Sequence, residues 1–293
     1  MTYRAPGGDL SGRVVVVTGA NRGMGQETAR ELARMGAEVV LACRSKHRGE
    51  AAKADIISST GARAITVMEL DLSSPRSVCA FATDFARRFS TLDVLVNSAA
   101  ASLRTREVTR EGFERTWATN VLGPHLLTTL LAPALRASGR GRIVNVSTLA
   151  AGGLDLSDTQ YERRRYRAIG AYRASKQASR MLTWALADRL QGELVTANAL
   201  NPGYVLTDLT RDVTGLLKVM VALTSFTAQT PLDGADTAIW LAASPDVEGL
   251  TARFWSKRRE IACRFRDDDQ IHELAGLVEQ QLSRGGAHEA MVA

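Results

Sequence analysis

Four consecutive valines that run directly into a glycine-rich loop constrain the fold of this chain more than any other feature. The valines occupy 14–17, and the loop reads Thr18-Gly19-Ala20-Asn21-Arg22-Gly23-Met24-Gly25. A continuous β-branched run is typical of a strand that is buried on both faces of a parallel sheet. Apolar residues at helical spacing follow the loop, so the sequence predicts strand, glycine loop and helix. In this context the glycines let the backbone approach a pyrophosphate, and the helix N-terminus supplies N–H groups to bind it.

The alternation of strand and helix continues along the chain. Further apolar runs predict strands at 38–43, 64–70, 92–96, 142–146 and 195–200. The segments between them predict helices, among them one at 46–60 and a long one from about Thr109 to Arg136 that is interrupted near Asn120 and Gly123-Pro124. This regular alternation predicts an α/β fold, a single Rossmann-type doubly wound parallel sheet with helices on both faces.

Length and composition fit one large domain. The chain has 293 residues, of which 45% are hydrophobic and 23% are charged, so it can bury a sizeable core. We expect a mobile N-terminal arm at 1–12, a dinucleotide-binding and catalytic domain at 13–270, and a C-terminal helix and tail at 271–293. An apolar segment at about 204–228 follows the carboxyl end of a strand and predicts a substrate lid. The alternatives for this segment are core filling and a subunit contact; a membrane-surface role is disfavoured, because only Arg211 and Lys218 are basic here.

Charge, cysteine and hydropathy patterns argue against several other classes of protein. The net charge is +6, but the basic residues are scattered among acidic ones and lack an aromatic platform, which disfavours nucleic-acid binding. The three cysteines and four histidines show no metal-ligand spacing, so we expect no metal and no structural disulfide. The sequence has neither a signal peptide nor an apolar run long enough to span a bilayer. These observations predict a cytoplasmic protein without a stable membrane span.

Tyr172 and Lys176 form a candidate proton-transfer pair. They are four residues apart, so a helix places both side chains on one face, one turn apart. An unperturbed phenol has a pKa near 10, and a cation one turn away favours the phenolate and lowers that pKa. Such a pair can exchange a proton with an alcohol or a carbonyl. The alternative is a core tyrosine beside a solvated lysine.

Two basic residues bear on the choice of dinucleotide. Arg44 ends the second predicted strand, the position that lies beside the adenosine ribose in this architecture. An arginine there suits a 2′-phosphate, and Arg22 in the glycine loop can add a second cation. The alternative is that both arginines are only solvated. Asp71 and Leu72 close the third strand, where an adenine edge would lie.

Taken together, these stretches resemble the short-chain dehydrogenase/reductase family over roughly residues 12–260. The family's ordered motifs are matched by the glycine loop (Thr18, Gly19, Gly23, Gly25), by a catalytic asparagine (Asn120), by the YxxxK pair (Tyr172, Lys176) and by the NPGxxxT-like segment (Asn201, Pro202, Gly203, Thr207). Within the family, the stretch 41–44 and the residues around Phe254 resemble the branch that contains retinol-dehydrogenase-like proteins.

The resemblance implies a catalytic set and a cofactor-binding set. The catalytic set is Asn120, Thr148, Tyr172 and Lys176. The cofactor-binding set is Gly19, Asn21, Arg22, Gly23, Met24, Gly25, Arg44, Asp71, Leu72, Asn97, Ala99, Tyr172, Lys176, Pro202, Gly203 and Thr207. Tyr172 would exchange the proton, Lys176 would hold the nicotinamide ribose and lower the pKa of Tyr172, and Asn120 would anchor a water. The cofactor would supply the hydride.

The implied function is hydride transfer between NADP(H), with NAD(H) as the alternative, and a carbonyl or alcohol of a lipophilic small molecule. A rival hypothesis is a dinucleotide-binding member with weak catalysis that acts through partners. A lyase or epimerase is disfavoured, because too little chain follows Gly203 for a large substrate domain. In family members, the helices that correspond to those of Thr109 and Tyr172 here often pair in dimers. A homo-oligomer therefore stays an open alternative.

Three departures from the family pattern stand out. Thr148 occupies the position of the catalytic serine, although it still offers a hydroxyl. The segment 97–100 reads Asn-Ser-Ala-Ala, which adds a methyl group near the cofactor and removes an asparagine that would steady the strand ends. The arginine-rich connection 150–167 is longer than a minimal member needs. We expect it to be a solvated loop, with a role at the substrate entrance as the alternative.

Overall fold

A computed structural model describes residues 7–203 and 229–285 of this chain. Eight strands of these ranges form one sheet in the order β3-β2-β1-β4-β5-β6-β7-β8. All neighbouring strands are parallel except β7 and β8. The strands are β1 (Val14–Thr18), β2 (Glu38–Cys43), β3 (Ile65–Glu69), β4 (Val94–Asn97), β5 (Gly141–Val146), β6 (Val195–Asn201), β7 (Phe254–Ser256) and β8 (Arg259–Glu260). This arrangement confirms the predicted α/β class and Rossmann-type sheet.

Helices cover both faces of the sheet. They are α1 (Gly23–Arg34), α2 (Lys46–Thr60), α3 (Pro75–Arg88), α4, α5 (Ala168–Arg189), α6 (Pro231–Ala243) and α7 (Asp268–Arg284). Helix α4 starts with one α-helical turn at Arg115–Trp117, continues as a π-helix over Ala118–Leu122 and runs on as a regular α-helix over Gly123–Ala137. The predicted interruption near Asn120 therefore exists, and it is a change of helix type rather than a break.

The core consists of two apolar layers, one on each face of the sheet. Helices α3, α4, α5 and α7 bury the first layer, which includes Phe85, Leu126 and Leu274. Helices α1, α2 and α6 bury the second layer, which includes Leu32 and Ile56. The predicted C-terminal helix thus packs in the same core as the rest of the domain.

The described part of the predicted N-terminal arm, residues 7–12, contacts the domain. Leu10 is fully buried in the second core layer, and its N–H donates a hydrogen bond to the carbonyl oxygen of Met35. The prediction of a mobile arm at 1–12 is therefore wrong at Leu10, which is held in the core. Residues 1–6 lie outside the described ranges, as does the predicted lid segment 204–228.

The long helix predicted from about Thr109 begins later than expected. Residues 108–114 form a turn in which Val108 pairs with Glu114 across an isolated antiparallel bridge. Gly112 has a φ of 89°, a left-handed conformation that stops a helix. The Glu114 side chain then accepts hydrogen bonds from the N–H groups of Thr116 and Trp117, which caps α4 at its observed start.

The connection 150–167 is packed in part, so the expected solvated loop is wrong for its buried residues, whereas most of its arginines are exposed. The Asp158 carboxylate is buried and accepts hydrogen bonds from the N–H groups of Glu162 and Arg164. The Tyr166 hydroxyl lies 3.0 Å from the Thr116 hydroxyl of α4 and donates to the carbonyl oxygen of Leu103 at 3.2 Å. These contacts fix the connection against the loop that follows β4.

Candidate functional site

The candidate site begins where the strand order reverses, between β1 and β4. The Thr18 hydroxyl oxygen, at the end of β1, accepts hydrogen bonds from the N–H groups of Ser98 (3.0 Å) and Ala99 (3.1 Å) after β4. A Cβ atom on Gly19 would lie 3.0 Å from the Ala99 Cα, so only glycine fits comfortably here. Open parallel sheets bind their ligands in the crevice at such a switch point.

The glycine loop and the N-terminus of α1 form a cradle that fits a pyrophosphate. A Cβ atom on Gly25 would lie 2.6 Å from the Gly19 carbonyl oxygen, so the loop closes tightly on itself. Gly23 has a φ of 56° and no atom within 4 Å of its Cβ position. No side chain caps α1, and its first turn contains no acidic residue. The N-terminal N–H groups and the helix dipole can therefore receive an anion without competition from a carboxylate.

The residues predicted around the adenosine lie at the same edge of the sheet. Arg44 follows β2 directly and is exposed, as is Arg22 in the glycine loop. The Asp71 carboxylate, after β3, accepts hydrogen bonds from the N–H and hydroxyl of Ser73. Leu72 is buried, and its carbonyl oxygen lies so close to Gly123 of α4 that a Cβ on Gly123 would overlap it. Leu72 thus contributes to the core as well as to this edge.

Tyr172 and Lys176 lie one turn apart on α5, as their spacing predicts. Tyr172 is half-buried, whereas Lys176 is only 3% exposed. The Lys176 ammonium lies 5.9 Å from the centre of the Tyr172 ring and donates a hydrogen bond to the Val146 carbonyl oxygen at 2.7 Å. The alternative of a solvated lysine is therefore wrong. This ammonium links the helix that carries the tyrosine to the end of β5.

Burial sets the protonation of the pair. It raises the pKa of Tyr172 to about 12 and lowers the pKa of Lys176 to about 8. The sequence predicted a lowered pKa for Tyr172, and that direction is wrong because burial of the phenol disfavours the charged phenolate. At neutral pH the phenol is protonated and can donate a proton, and Lys176 keeps its charge.

Ser147 and Thr148, the two hydroxyl residues after β5, have different surroundings. The Ser147 hydroxyl is buried and donates to the carbonyl oxygen of Lys176 at 3.1 Å. Thr148 is half-buried, and its hydroxyl oxygen accepts a hydrogen bond from the N–H of Ala150 at 3.2 Å. A hydroxyl oxygen that accepts one hydrogen bond can still donate its own proton. The Thr148 hydroxyl is therefore the one of the two that can donate a hydrogen bond to a substrate oxygen.

Asn120 lies in the π-helical segment of α4. Pro124 has no N–H to offer the Asn120 carbonyl four residues earlier, which an α-helix would require. The Asn120 side chain donates to the carbonyl of Ala101 at 2.8 Å and to the Ser175 hydroxyl at 3.0 Å, and accepts from the Ala101 N–H at 2.7 Å. It therefore joins α4, the loop after β4 and α5. Its expected role in anchoring a water stays a prediction.

Asn97 ties the ends of the central strands. Its side-chain amide donates to the Asn145 side chain on β5 at 2.8 Å, and Asn145 in turn donates to the Thr183 hydroxyl on α5 at 2.9 Å. Loosened strand ends were expected from the altered segment 97–100, and the structure does not show them. Ala99 instead packs against Gly19, as described above.

The end of β6 is bonded to the loop after β5 and to β7. The Asn201 side chain accepts from the N–H of Leu149 at 3.0 Å and donates to the Ser256 hydroxyl at 3.1 Å. Pro202 follows, and Gly203 has a φ of 86°. Thr207, the last residue of the predicted set, lies outside the described residues.

One residue of the site was missed at the sequence level. Arg180 lies on α5, four residues after Lys176, and is only 3% exposed. Its guanidinium donates a hydrogen bond to the Thr148 carbonyl oxygen at 2.7 Å. The signal was the same four-residue spacing that joins Tyr172 to Lys176, but an arginine on a helix normally indicates a solvated residue.

Comparisons with known proteins agree with this geometry. The family model described as short chain dehydrogenase matches residues 13–215. Mouse (Mus musculus) retinol dehydrogenase 12 is 40% identical, and the match covers 90% of this chain and 84% of that protein. An uncharacterised protein from Mycobacterium paratuberculosis has a solved structure with a TM-score of 0.76 and 33% identity, covering 94% of this chain and 95% of the other.

A further solved structure bears on the cofactor. It is a Beutenbergia cavernae protein described as an NAD(P)-dependent gluconate 5-dehydrogenase with bound NADP. It has a TM-score of 0.68 and 30% identity, covering 84% of this chain and 95% of the other.

Proposed function

The chain belongs to the short-chain dehydrogenase/reductase family, and we propose that it transfers a hydride between NADP(H) and the carbonyl or alcohol group of a lipophilic small molecule. It is an NAD(P)-dependent oxidoreductase that acts on CH–OH groups. The proposal adds the preference for NADP(H) and the apolar character of the substrate. The cytoplasmic location of the protein and its assembly into a homo-oligomer stay predictions.

The exposed apolar side chains around the reacting pair carry the substrate proposal. In the described ranges, four large apolar residues are strongly exposed, and two of them flank the site. Leu149 directly follows Thr148, and Ile169 lies three residues before Tyr172; both are 56% exposed. Apolar surface next to polar catalytic groups is typical of a site that buries an apolar ligand and orients one polar group. The related mouse protein is named for retinol, which has this character.

The residues of the site can perform the proton chemistry. When bound, the nicotinamide supplies the hydride. Tyr172, protonated at neutral pH, donates its proton to the carbonyl oxygen, and Thr148 offers a hydroxyl to hold that oxygen. The positive charge of Lys176, one turn away, stabilises the phenolate that forms. The glycine loop and the N-terminus of α1 would hold the pyrophosphate, and Arg44 with Arg22 would face a 2′-phosphate.

A turnover screen tests the proposal. Aldehydes, ketones and alcohols of increasing chain length are offered with NADPH or NADH, or with the oxidised cofactors, while the nicotinamide absorbance is followed. We expect kcat/KM to rise by about four-fold for each buried methylene, and Tyr172→Phe to abolish turnover while it leaves cofactor affinity nearly unchanged. Absence of turnover in the whole series, with intact cofactor binding, would favour the rival in which the protein acts through partners.

A matched pair of variants tests whether the exposed apolar side chains beside the site contact the substrate. Leu149→Asp should flatten the dependence of kcat/KM on chain length, because it places a charge where the apolar part of the substrate would lie. Leu194→Asp serves as the control, since Leu194 is 74% exposed and precedes β6 at the opposite edge of the sheet. An unchanged chain-length dependence in Leu149→Asp would refute the lipophilic site.

A further inference from the structure

Two buried cations on successive turns of α5 hold the end of β5. Lys176 donates to the carbonyl of Val146, and Arg180 donates to the carbonyl of Thr148, each at 2.7 Å. The two side chains lie near each other on one helix face because they are four residues apart. The two carbonyls belong to residues two positions apart, Val146 at the end of β5 and Thr148 just after it. The helix therefore holds the backbone on both sides of Ser147.

The Arg180 guanidinium is itself fixed in place. It lies 4.1 Å from the ring centre of Phe254 on β7 and 4.8 Å from that of Phe265, which comes after β8. Its NH1 group lies 3.8 Å from the Cys263 sulfur. A planar cation stacked on two rings loses the freedom to rotate, so the hydrogen bond to Thr148 has a fixed direction.

Arg180 has an arrangement that stability alone does not explain. None of the ion pairs within 7–203 and 229–285 includes it. A buried charge without a carboxylate partner is costly, and an apolar side chain of similar length is often better tolerated at such a place. Arg180 also contacts two aromatic rings and Cys263, but the contact through which it reaches the candidate site is its bond to the Thr148 carbonyl oxygen.

We propose that Arg180 is a positioning residue, which orients the Thr148 hydroxyl toward the substrate oxygen by holding the Thr148 carbonyl. The inference rests on the proposed function. It also gives the segment of Cys263 and Phe265 a role, since that segment fixes the guanidinium from outside the site. Arg180 acts only through Thr148, and this dependence can be tested.

A double-mutant cycle provides the first test. Arg180→Met keeps the length of the stem and removes the donor. In the wild-type background it should lower kcat by on the order of 10²-fold, because a small misplacement of a reacting group has effects of that size. In a Thr148→Ala background the same change should lower kcat by less than about two-fold, because there is no hydroxyl left to orient. Arg180→Lys, which keeps a cationic group with N–H donors, should restore part of the loss, and the Kd for NADPH should stay constant.

Arg264→Met is the matched control for this cycle. Arg264 is exposed, contacts the same Phe265 ring at 5.7 Å and does not reach Thr148, so kcat should not change. An equal loss of kcat from Arg180→Met in both backgrounds would overturn the inference. So would a loss of NADPH affinity that parallels the loss of kcat, because it would indicate general disruption.

Amide hydrogen exchange provides a test that does not depend on turnover. The N–H groups of Leu149 and Ala150 are bonded to Asn201 and to the Thr148 hydroxyl. Both should exchange about ten-fold faster in Arg180→Met and at the wild-type rate in Arg264→Met, since local opening governs exchange. Unchanged exchange in Arg180→Met would refute the positioning role. If the wild-type protein turned over no substrate, the proposed function would fail, and hydrogen exchange alone would still judge the role of Arg180.

Discussion

The ammonium of Lys176 and the carbonyl oxygen of Val146, 2.7 Å apart, form a buried contact between a charge and a backbone dipole. Within 7–203 and 229–285, no ion pair includes Lys176. Its pKa falls to about 8 because burial disfavours the charged form. The folded protein therefore accepts a thermodynamic cost at neutral pH in order to keep this cation in the site.

The stability of the protein should consequently depend on pH through Lys176. Between the folded pKa of about 8 and the ordinary value of 10.5, the unfolded chain binds more protons at this residue. Stability then rises with pH, by about 2 kcal/mol between pH 7 and pH 10. Lys176→Met should lack this rise, while contributions from Tyr172 and the cysteines are common to both proteins. Denaturant unfolding at several pH values measures the difference, and parallel curves for the two proteins would contradict the expectation.

Substitutions of Ser147 and Thr148 should have different effects, the first on stability and the second on turnover. Ser147→Ala removes the bond to the Lys176 carbonyl and should lower the free energy of unfolding by about 1 kcal/mol, with little effect on kcat. Thr148→Ala should lower kcat by on the order of 10²-fold with little effect on stability, because it removes a donor to the reacting oxygen. Thr148→Ser should keep most of the activity. The opposite pattern, with Ser147→Ala inactive and Thr148→Ala silent, would place the functional hydroxyl one residue earlier.

Local signals explain why some elements were predicted to the residue. Helix α2 has the predicted bounds because the Ser45 side chain caps its first turn and Gly61, with a φ of 74°, ends it. The hairpin of β7 and β8 was missed because its turn residues, Lys257 and Arg258, have φ values of 52° and 57°. That conformation is normally indicated by Asn-Gly, and Lys-Arg at this place carries no such turn signal.

In the candidate site, the sequence pattern predicted which residues lie together but not their electrostatic surroundings. Spacing alone placed Tyr172 and Lys176 together, because four residues are one helical turn. The direction of the Tyr172 pKa shift was predicted incorrectly, since the pKa of a phenol depends on burial by distant parts of the chain. Arg180 was missed for the same reason: its partners Phe254 and Phe265 are far away in sequence and meet it only in the folded protein.

The preference for NADP(H) should depend on Arg44. Arg44→Asp replaces an attraction for the 2′-phosphate by a repulsion and should weaken NADPH binding by roughly 10-fold to 100-fold, with a smaller effect on NADH. Arg63→Asp is the control, because Arg63 is exposed and precedes β3 at the opposite edge of the sheet. Titration of both cofactors into the three proteins measures the effect. Tighter binding of NADH than of NADPH by the wild-type protein would contradict the proposed preference for NADP(H).

The closed form of the glycine loop should matter for the cofactor more than for the fold. A Cβ on Gly25 would lie 2.6 Å from the Gly19 carbonyl oxygen, and neither backbone group can swing away as a side chain would. Gly25→Ala should therefore open the loop and weaken NADPH binding by roughly 10-fold or more, since the loop N–H groups no longer converge. Gly61→Ala is the matched control: Gly61 has a φ of 74° and no neighbour near its Cβ position, so alanine there should cost about 1 kcal/mol of stability and leave NADPH affinity unchanged. Calorimetric titration with NADPH, combined with thermal unfolding of both variants, separates the two effects. Equal NADPH affinity in the two variants would show that the Gly25 contact does not shape the cofactor site.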